Sequence, residues 1–250
     1  MSDADQDQGQ PLVAHLIELR SRLLYALLSI MVTFLPLFYF ANEIYIYISE
    51  PLRNFLPEGT NMIATEVASP FLTPFKLTLV LSIFIAMPYI LHQIWSFIAP
   101  GLYINEKKVA APLLISSIIL FYTGIAFAFY IVFPLVFSFF TSVAPEGVTV
   151  MTDINKYLDF VLKLFFAFGF AFEIPIATVL LIWTGATTPQ SMAKKRPYVI
   201  LACFIAGMLL TPPDVISQIL LAVPMWLLFE AGIIFSKVFS LGPLKETTIN

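Results

Sequence analysis

The chain has 250 residues, of which 59% are hydrophobic and only 12% are charged. So little charge cannot supply the polar surface of a water-soluble domain of this size, so the composition excludes a soluble protein and predicts a membrane protein. The net charge of −3 indicates little, because in a membrane protein the position of each charge matters more than the sum.

Six apolar segments are predicted to be transmembrane helices, since about 20 residues cross roughly 30 Å of hydrocarbon. The third lies in a run of 37 uncharged residues. As one helix this run would be about 55 Å long, so it must tilt, bend or project from the bilayer. The fifth is about 21 Å long and ends at a Pro-Pro-Asp turn, so we expect a short final hairpin in a thinned membrane. The spans, in a single domain of residues 1–250, are about 23–41, 77–97, 109–141, 158–184, 198–211 and 215–236.

Basic residues predict the orientation. Nine of the 13 lie on one side of the predicted spans, which the positive-inside rule makes cytoplasmic, together with both termini. The first outer loop, residues 42–74, is rich in proline and is expected to form a small cap. The N-terminus is acidic and polar, so we expect neither a cleavable signal nor a transit peptide, which favours a bacterial cytoplasmic membrane.

Five of the six spans contain a proline that removes a helix hydrogen bond. Together they predict bent helices, although proline is also commoner in membrane helices than in soluble ones. These residues are Pro36, Pro88, Pro134, Pro175 and Pro224.

Two scarce carboxylates lie on the predicted cytoplasmic side. Glu18 either pairs with Arg22, four residues later on a helix, or receives a cationic partner. Glu106, beside Lys107 and Lys108, is either a solvated loop residue or the companion of Glu18. Such a pair of acids is suited to holding two guanidinium groups through charge-assisted bonds.

Glu173 lies in the middle of the fourth span, where a charge is costly. It is either a buried acid bonded to a neighbouring helix or part of a wet cavity or partner contact. Glu230 is interpreted as reaching the cytoplasmic surface, and His15 and His92 as isolated interfacial residues. Nucleotide-loop, metalloprotease and hydrolase motifs are missing, so we predict no enzyme and no metal site.

A proton-coupled secondary transporter of a small solute is the alternative function, because a mid-membrane acid and bent helices suit one. The lack of an internal repeat and the single central acid argue against it. An intramembrane enzyme has no supporting nucleophile or metal ligands.

Six motifs occur in order between about Leu12 and Ser236: HLIELRSR (15–22), SPFLTP (69–74), FIAPGLY (97–103) with Glu106, FEIP (172–175), KRPY (195–198) and LTPPD (210–214). Together they closely resemble the signature segments of the TatC family, the core receptor subunits of the twin-arginine protein translocase. Ser21 is a departure, because relatives often carry a basic residue there.

The resemblance implies a concave, glove-like bundle of six helices in the inner membrane, in a multi-subunit complex with the single-span proteins TatA and TatB. It implies binding of twin-arginine signal peptides of folded precursors, driven by the proton-motive force, without a cofactor or nucleic acid.

The resemblance also implies roles for particular residues. Glu18 and Glu106 are implied as the acceptors of the two arginines, and the same patch contains Arg20, Arg22 and Phe97, with Lys108 nearby. Glu173 is implied on the concave side, the contact with partner helices involves Met208, Thr211 and Gln218, and Pro51 and Asp214 lie on the outer side.

Overall fold

A computed structural model describes residues 9–55, 62–98, 107–142, 152–211 and 215–239. Within those ranges the chain is helical apart from short connections and one isolated bridge between Ile63 and Asp153, which confirms the all-α class. The helices are α1 (Gly9–Tyr39), α2 (Ala41–Phe55), α3 (Ser69–Ile98), α4 (Lys107–Phe127), α5 (Phe133–Ser142), α6 (Ile154–Ala171), α7 (Ile174–Trp183), α8 (Pro189–Lys194), α9 (Arg196–Leu210) and α10 (Val215–Phe239).

Within the described part of the chain, five helical stretches are long and apolar enough to cross a membrane. The apolar helix α9 has only 15 residues, or about 22 Å, which is less than the hydrocarbon thickness of about 30 Å. It occupies the position of the predicted short fifth segment. These features confirm a multi-pass membrane protein. The five stretches are His15–Tyr39, Ser69–Ile98, Ala111–Phe140, Ile154–Trp183 and Val215–Lys237.

Proline interrupts the regular helix at two of the five predicted positions. Pro134 follows a five-residue π-helix, Ala128–Val132, that separates α4 from α5. Pro175 lies in the first turn of α7, directly after the break that ends α6. Proline lacks the N–H that would continue the ladder, which explains both interruptions. At Pro36, Pro88 and Pro224 the helix continues.

The chain divides into two compact units. The first consists of residues 1–53, 62–118 and 153–158. In it α1 packs along α3, and the Thr33 hydroxyl donates to the Ser82 carbonyl at 3.1 Å. The predicted cap region contains α2 and the first turns of α3. The Tyr157 hydroxyl donates to the Ile48 carbonyl on α2 at 3.0 Å, which ties α2 to the start of α6.

The second unit consists of residues 54–61, 119–152 and 159–250. In it α10 packs against both α7 and α9. Gly232 permits the close approach of α10 to α7, because a Cβ atom at this position would lie only 2.9 Å from the Cα atom of Pro175. Gln218 joins α10 to α9 by donating its Nε2 proton to the Phe204 carbonyl at 2.8 Å. Small residues and interhelical hydrogen bonds are the usual means of packing helices in membranes.

Candidate functional site

The carboxylate of Glu18 is bound by Arg22, one turn further along α1. Arg22 donates from Nε at 3.0 Å and from Nη2 at 2.5 Å, both to Oε1 of Glu18. The helical pairing that the sequence offered as one interpretation is therefore formed. No hydrogen bond from the described part of the chain reaches Oε2, and the Nδ1 atom of His15 lies 3.9 Å from it. The Glu18 side chain is 38% exposed, so this second oxygen can accept an external donor.

Helix α3 brings a second acceptor to Arg22. The Oε1 atom of Gln93 accepts from Nη1 of Arg22 at 3.4 Å. Gln93 is only 9% exposed, although it is polar. The guanidinium of Arg22 thus lies between two acceptors on two helices. Gln93 was not predicted from the sequence, where its one signal is an amide side chain in an apolar span.

An aromatic pair lies beside the carboxylate. The rings of His15 on α1 and Phe97 on α3 are stacked, with centroids 4.1 Å apart and planes at 19°. Phe97 was implied as a site residue by resemblance, whereas His15 was interpreted as isolated. The stack places both beside Glu18, because His15 precedes that residue by less than one helical turn.

Other predicted members of the patch are only partly described. Arg20 is exposed on α1, within one turn of both Glu18 and Arg22. Lys108 lies in the first turn of α4. Glu106, the second implied carboxylate, lies outside the described residues. The structure therefore brings Glu18, Arg22 and Phe97 into one cluster with Gln93 and His15. A half-exposed carboxylate next to aromatic rings is suited chemically to a guanidinium, which pairs with the acid and stacks on the rings.

Glu173 lies at the break between α6 and α7. Its amide donates to the Phe170 carbonyl at 3.0 Å, and its carbonyl accepts from Ala177 at 2.9 Å. Pro175 in the following turn prevents a continuous α-helix through this point. The side chain is half-buried. That it faces a concave surface stays a prediction.

The three residues implied in partner contact differ in exposure. Met208 on α9 is 51% exposed. Thr211 is buried and donates its hydroxyl to the Gly207 carbonyl at 3.0 Å, while Gln218 binds the Phe204 carbonyl. Thr211 and Gln218 thus hold the backbone at the end of α9, and Met208 is the one of the three that offers a broad apolar surface.

On the side predicted to be outer, Pro51 lies within α2, and Asp214 lies outside the described residues. Asp153 was not singled out by the sequence. Its Oδ1 atom accepts from the amides of Asn155 and Lys156, each at 2.9 Å, and so caps the start of α6. Its Oδ2 atom holds Thr65. These bonds, led by that of the Thr65 hydroxyl, lower the pKa of Asp153 to about 2.

Glu230 forms an ion pair that was not predicted from the sequence. Its two carboxylate oxygens accept from Nε and Nη2 of Arg196 at 2.6 and 2.7 Å. The Glu230 side chain is 17% exposed. This ion pair, with its two hydrogen bonds, joins the first turn of α9 to α10. Glu230 is therefore bound by Arg196, and the interpretation that its side chain extends to the membrane surface stays a prediction.

Comparisons with known proteins agree with this arrangement. The family model described as Sec-independent protein translocase protein (TatC) matches residues 14–224. The TatC protein of Azotobacter chroococcum mcd 1 is 64% identical, over 92% of this chain and 91% of its own. That of Escherichia coli (strain K12) is 57% identical, over 93% and 90%. A crystal structure of the twin arginine translocase receptor TatC is similar at a TM-score of 0.82 and 37% identity, covering 90% of this chain and 99% of that one.

Proposed function

The chain belongs to the TatC family and is a component of the Sec-independent protein translocase, and we propose that it is the receptor for twin-arginine signal peptides of folded precursors. The observation that supports this is the free oxygen of Glu18. The Glu18 side chain is partly exposed, its Oε2 atom has no hydrogen-bond donor among the described residues, and the side chain lies beside the stacked rings of His15 and Phe97.

A guanidinium group fits this site better than an ammonium group. Arginine presents its N–H donors in a planar fork that matches a carboxylate, and its flat face stacks on aromatic rings. Lysine carries one compact charge and can do neither in the same way. In our proposal Glu18 takes one arginine of the signal, Glu106 takes the other, and Phe97 provides the apolar floor.

We also propose an orientation in the membrane and a contact face for the partners. The site faces the cytoplasm of a bacterium, and the chain spans the inner membrane with both termini on that side, because its basic residues cluster there. TatA and TatB bind near the exposed side chain of Met208, and the proton-motive force drives transport. The exposure of Met208, beside the inward-bonded Thr211 and Gln218, supports this face as one that another helix can contact.

Peptide binding tests the receptor function. The full chain in lipid nanodiscs is titrated with a synthetic peptide carrying two consecutive arginines and with a matched dilysine peptide. Glu18→Gln should weaken binding of the diarginine peptide about tenfold or more, because it removes a hydrogen bond to a charged group. The double variant Glu18→Gln/Glu106→Gln should weaken it further.

The matched control is Glu66→Gln, which removes an exposed acid on the side predicted to be outer. It should bind the peptide as the parent does. Equal affinity for both peptides, or unchanged binding by the double variant, would contradict the receptor function.

A further inference from the structure

Arg22 occupies the very carboxylate that the proposed function assigns to the ligand. Its two bonds end on Oε1 of Glu18, while no hydrogen bond from the described residues reaches Oε2. A second guanidinium can therefore approach Glu18 before Arg22 has left. Two arginines on one carboxylate repel each other, so a stable complex requires Arg22 to move to a different acceptor.

The alternative acceptor lies within reach. The Nη1 atom of Arg22 is 3.4 Å from Oε1 of Gln93, a long bond that a small side-chain rotation shortens. The Arg22 side chain is 23% exposed, so leaving it without an acceptor would cost the desolvation of a charged group. Gln93 is nearly buried on α3, a fixed position from which its amide can hold the displaced guanidinium.

We infer that Arg22 is an internal competitor for the Glu18 site and that Gln93 is the positioning residue that receives Arg22 when a ligand arginine binds. The inference rests on the proposed function, since it assumes that Glu18 binds the signal peptide. In the free protein Arg22 keeps Glu18 neutralised, which disfavours stray cations. A ligand that offers a bidentate fork displaces Arg22, whereas a lone ammonium competes poorly.

Two variants of Gln93 that should change peptide affinity in opposite directions test whether Arg22 moves from Glu18 to Gln93. Gln93→Leu removes the second acceptor at similar volume, so binding of the diarginine peptide should weaken about tenfold. Gln93→Glu attracts Arg22 away from Glu18, so binding should tighten. Because the two changes act in opposite directions, general damage to the fold cannot imitate the expected pair of results. The exposed Gln190→Leu on α8 is the matched control and should leave affinity unchanged.

A double-mutant cycle then tests whether Gln93 acts through Arg22. Arg22→Gln removes the competitor and should tighten binding several-fold. In that background Gln93→Leu should change the affinity less than twofold. A loss as large as in the parent would show that Gln93 contacts the peptide directly, and weaker binding by Arg22→Gln would show that Arg22 is not a competitor. Either result overturns the inference.

The same titrations separate this inference from the receptor function. If Glu18→Gln weakens binding as expected but Gln93→Leu has no effect, the receptor function stands and the exchange is wrong. If the double variant Glu18→Gln/Glu106→Gln binds normally, both are wrong.

Discussion

Asp153 holds Thr65, 88 residues away, through two bonds to one oxygen: the Thr65 amide donates to Oδ2 at 2.9 Å and the hydroxyl donates to it at 2.7 Å. The backbone amide of Ile154 also donates to the Ile63 carbonyl at 2.9 Å. The segment before α3 is therefore fastened to the start of α6 within the first unit. The same carboxylate caps α6, so one residue fixes both the loop and the helix.

We predict that Asp153→Ala lowers the free energy of unfolding by about 1–2 kcal/mol, because it removes a helix cap and two hydrogen bonds to Thr65. Thermal unfolding in detergent measures the loss. Thr65→Val, which deletes the hydroxyl but keeps the amide bond, should cost less. Equal losses for the two variants would mean that neither the helix cap nor the bond from the Thr65 amide contributes to stability.

The same carboxylate predicts a pH dependence. The bonds from Thr65 and Lys156 lower the pKa of Asp153 from 3.8 to about 2 in the folded chain. A depressed folded pKa adds stability above the unfolded pKa of about 4 that is lost as pH falls toward 2. The melting temperature should fall over this window, and less steeply for Asp153→Asn than for the parent. Identical slopes for parent and variant would show that Asp153 does not contribute.

Because Arg196 and Glu230 form an ion pair, we predict that substitutions of the two residues have non-additive effects on the melting temperature. Arg196→Gln leaves the mostly buried carboxylate of Glu230 without this partner, so it should lower the melting temperature more than Arg196→Gln/Glu230→Gln does. Arg196→Lys should be intermediate, since lysine cannot form both bonds. A double variant that is the least stable of the three would contradict the pairing.

Two glycines on α10 and α9 predict different tolerance to alanine. A Cβ atom at Gly232 would lie 2.9 Å from the Cα atom of Pro175, so Gly232→Ala should destabilise by about 1–3 kcal/mol through overpacking. At Gly207 the Cβ atom would lie 3.1 Å from the Gln218 carbonyl. A small shift relieves that contact, and alanine favours the helix by about 1 kcal/mol, so Gly207→Ala should be nearly neutral. Comparing the melting temperatures of the two variants checks this order.

If partners bind near Met208, a cross-linker at that position should react with one of them. A photoreactive amino acid at Met208 should cross-link to a single-span partner in membranes that contain the complete translocase. The control position is Leu27 on α1, which is similarly exposed at 55%, against 51% for Met208. Equal yields at both positions would argue against a specific contact at Met208.

The sequence by itself determined the class of protein, an all-α chain with several membrane-spanning helices. Apolar segments and prolines are local patterns, so the apolar helices and the short α9 follow from neighbouring residues alone. The five prolines predicted five bends, but the regular helix is interrupted only near Pro134 and Pro175, so the local pattern did not determine which prolines mark a break. The bond from Arg22 to Glu18 was also foreseeable, because residues four apart share a helix face.

Only the tertiary structure decided which distant side chains meet. Gln93 lies 71 residues from Arg22 in the sequence. In the same way, the Phe97 ring stacks on His15, the Thr65 hydroxyl binds Asp153 and Glu230 pairs with Arg196, and in each pair the two residues belong to different elements. Helical periodicity fixes the faces of a helix but not its register against a neighbour. That register is set by close packing between helices, such as the approach that Gly232 permits, and single-sequence patterns carry no record of it.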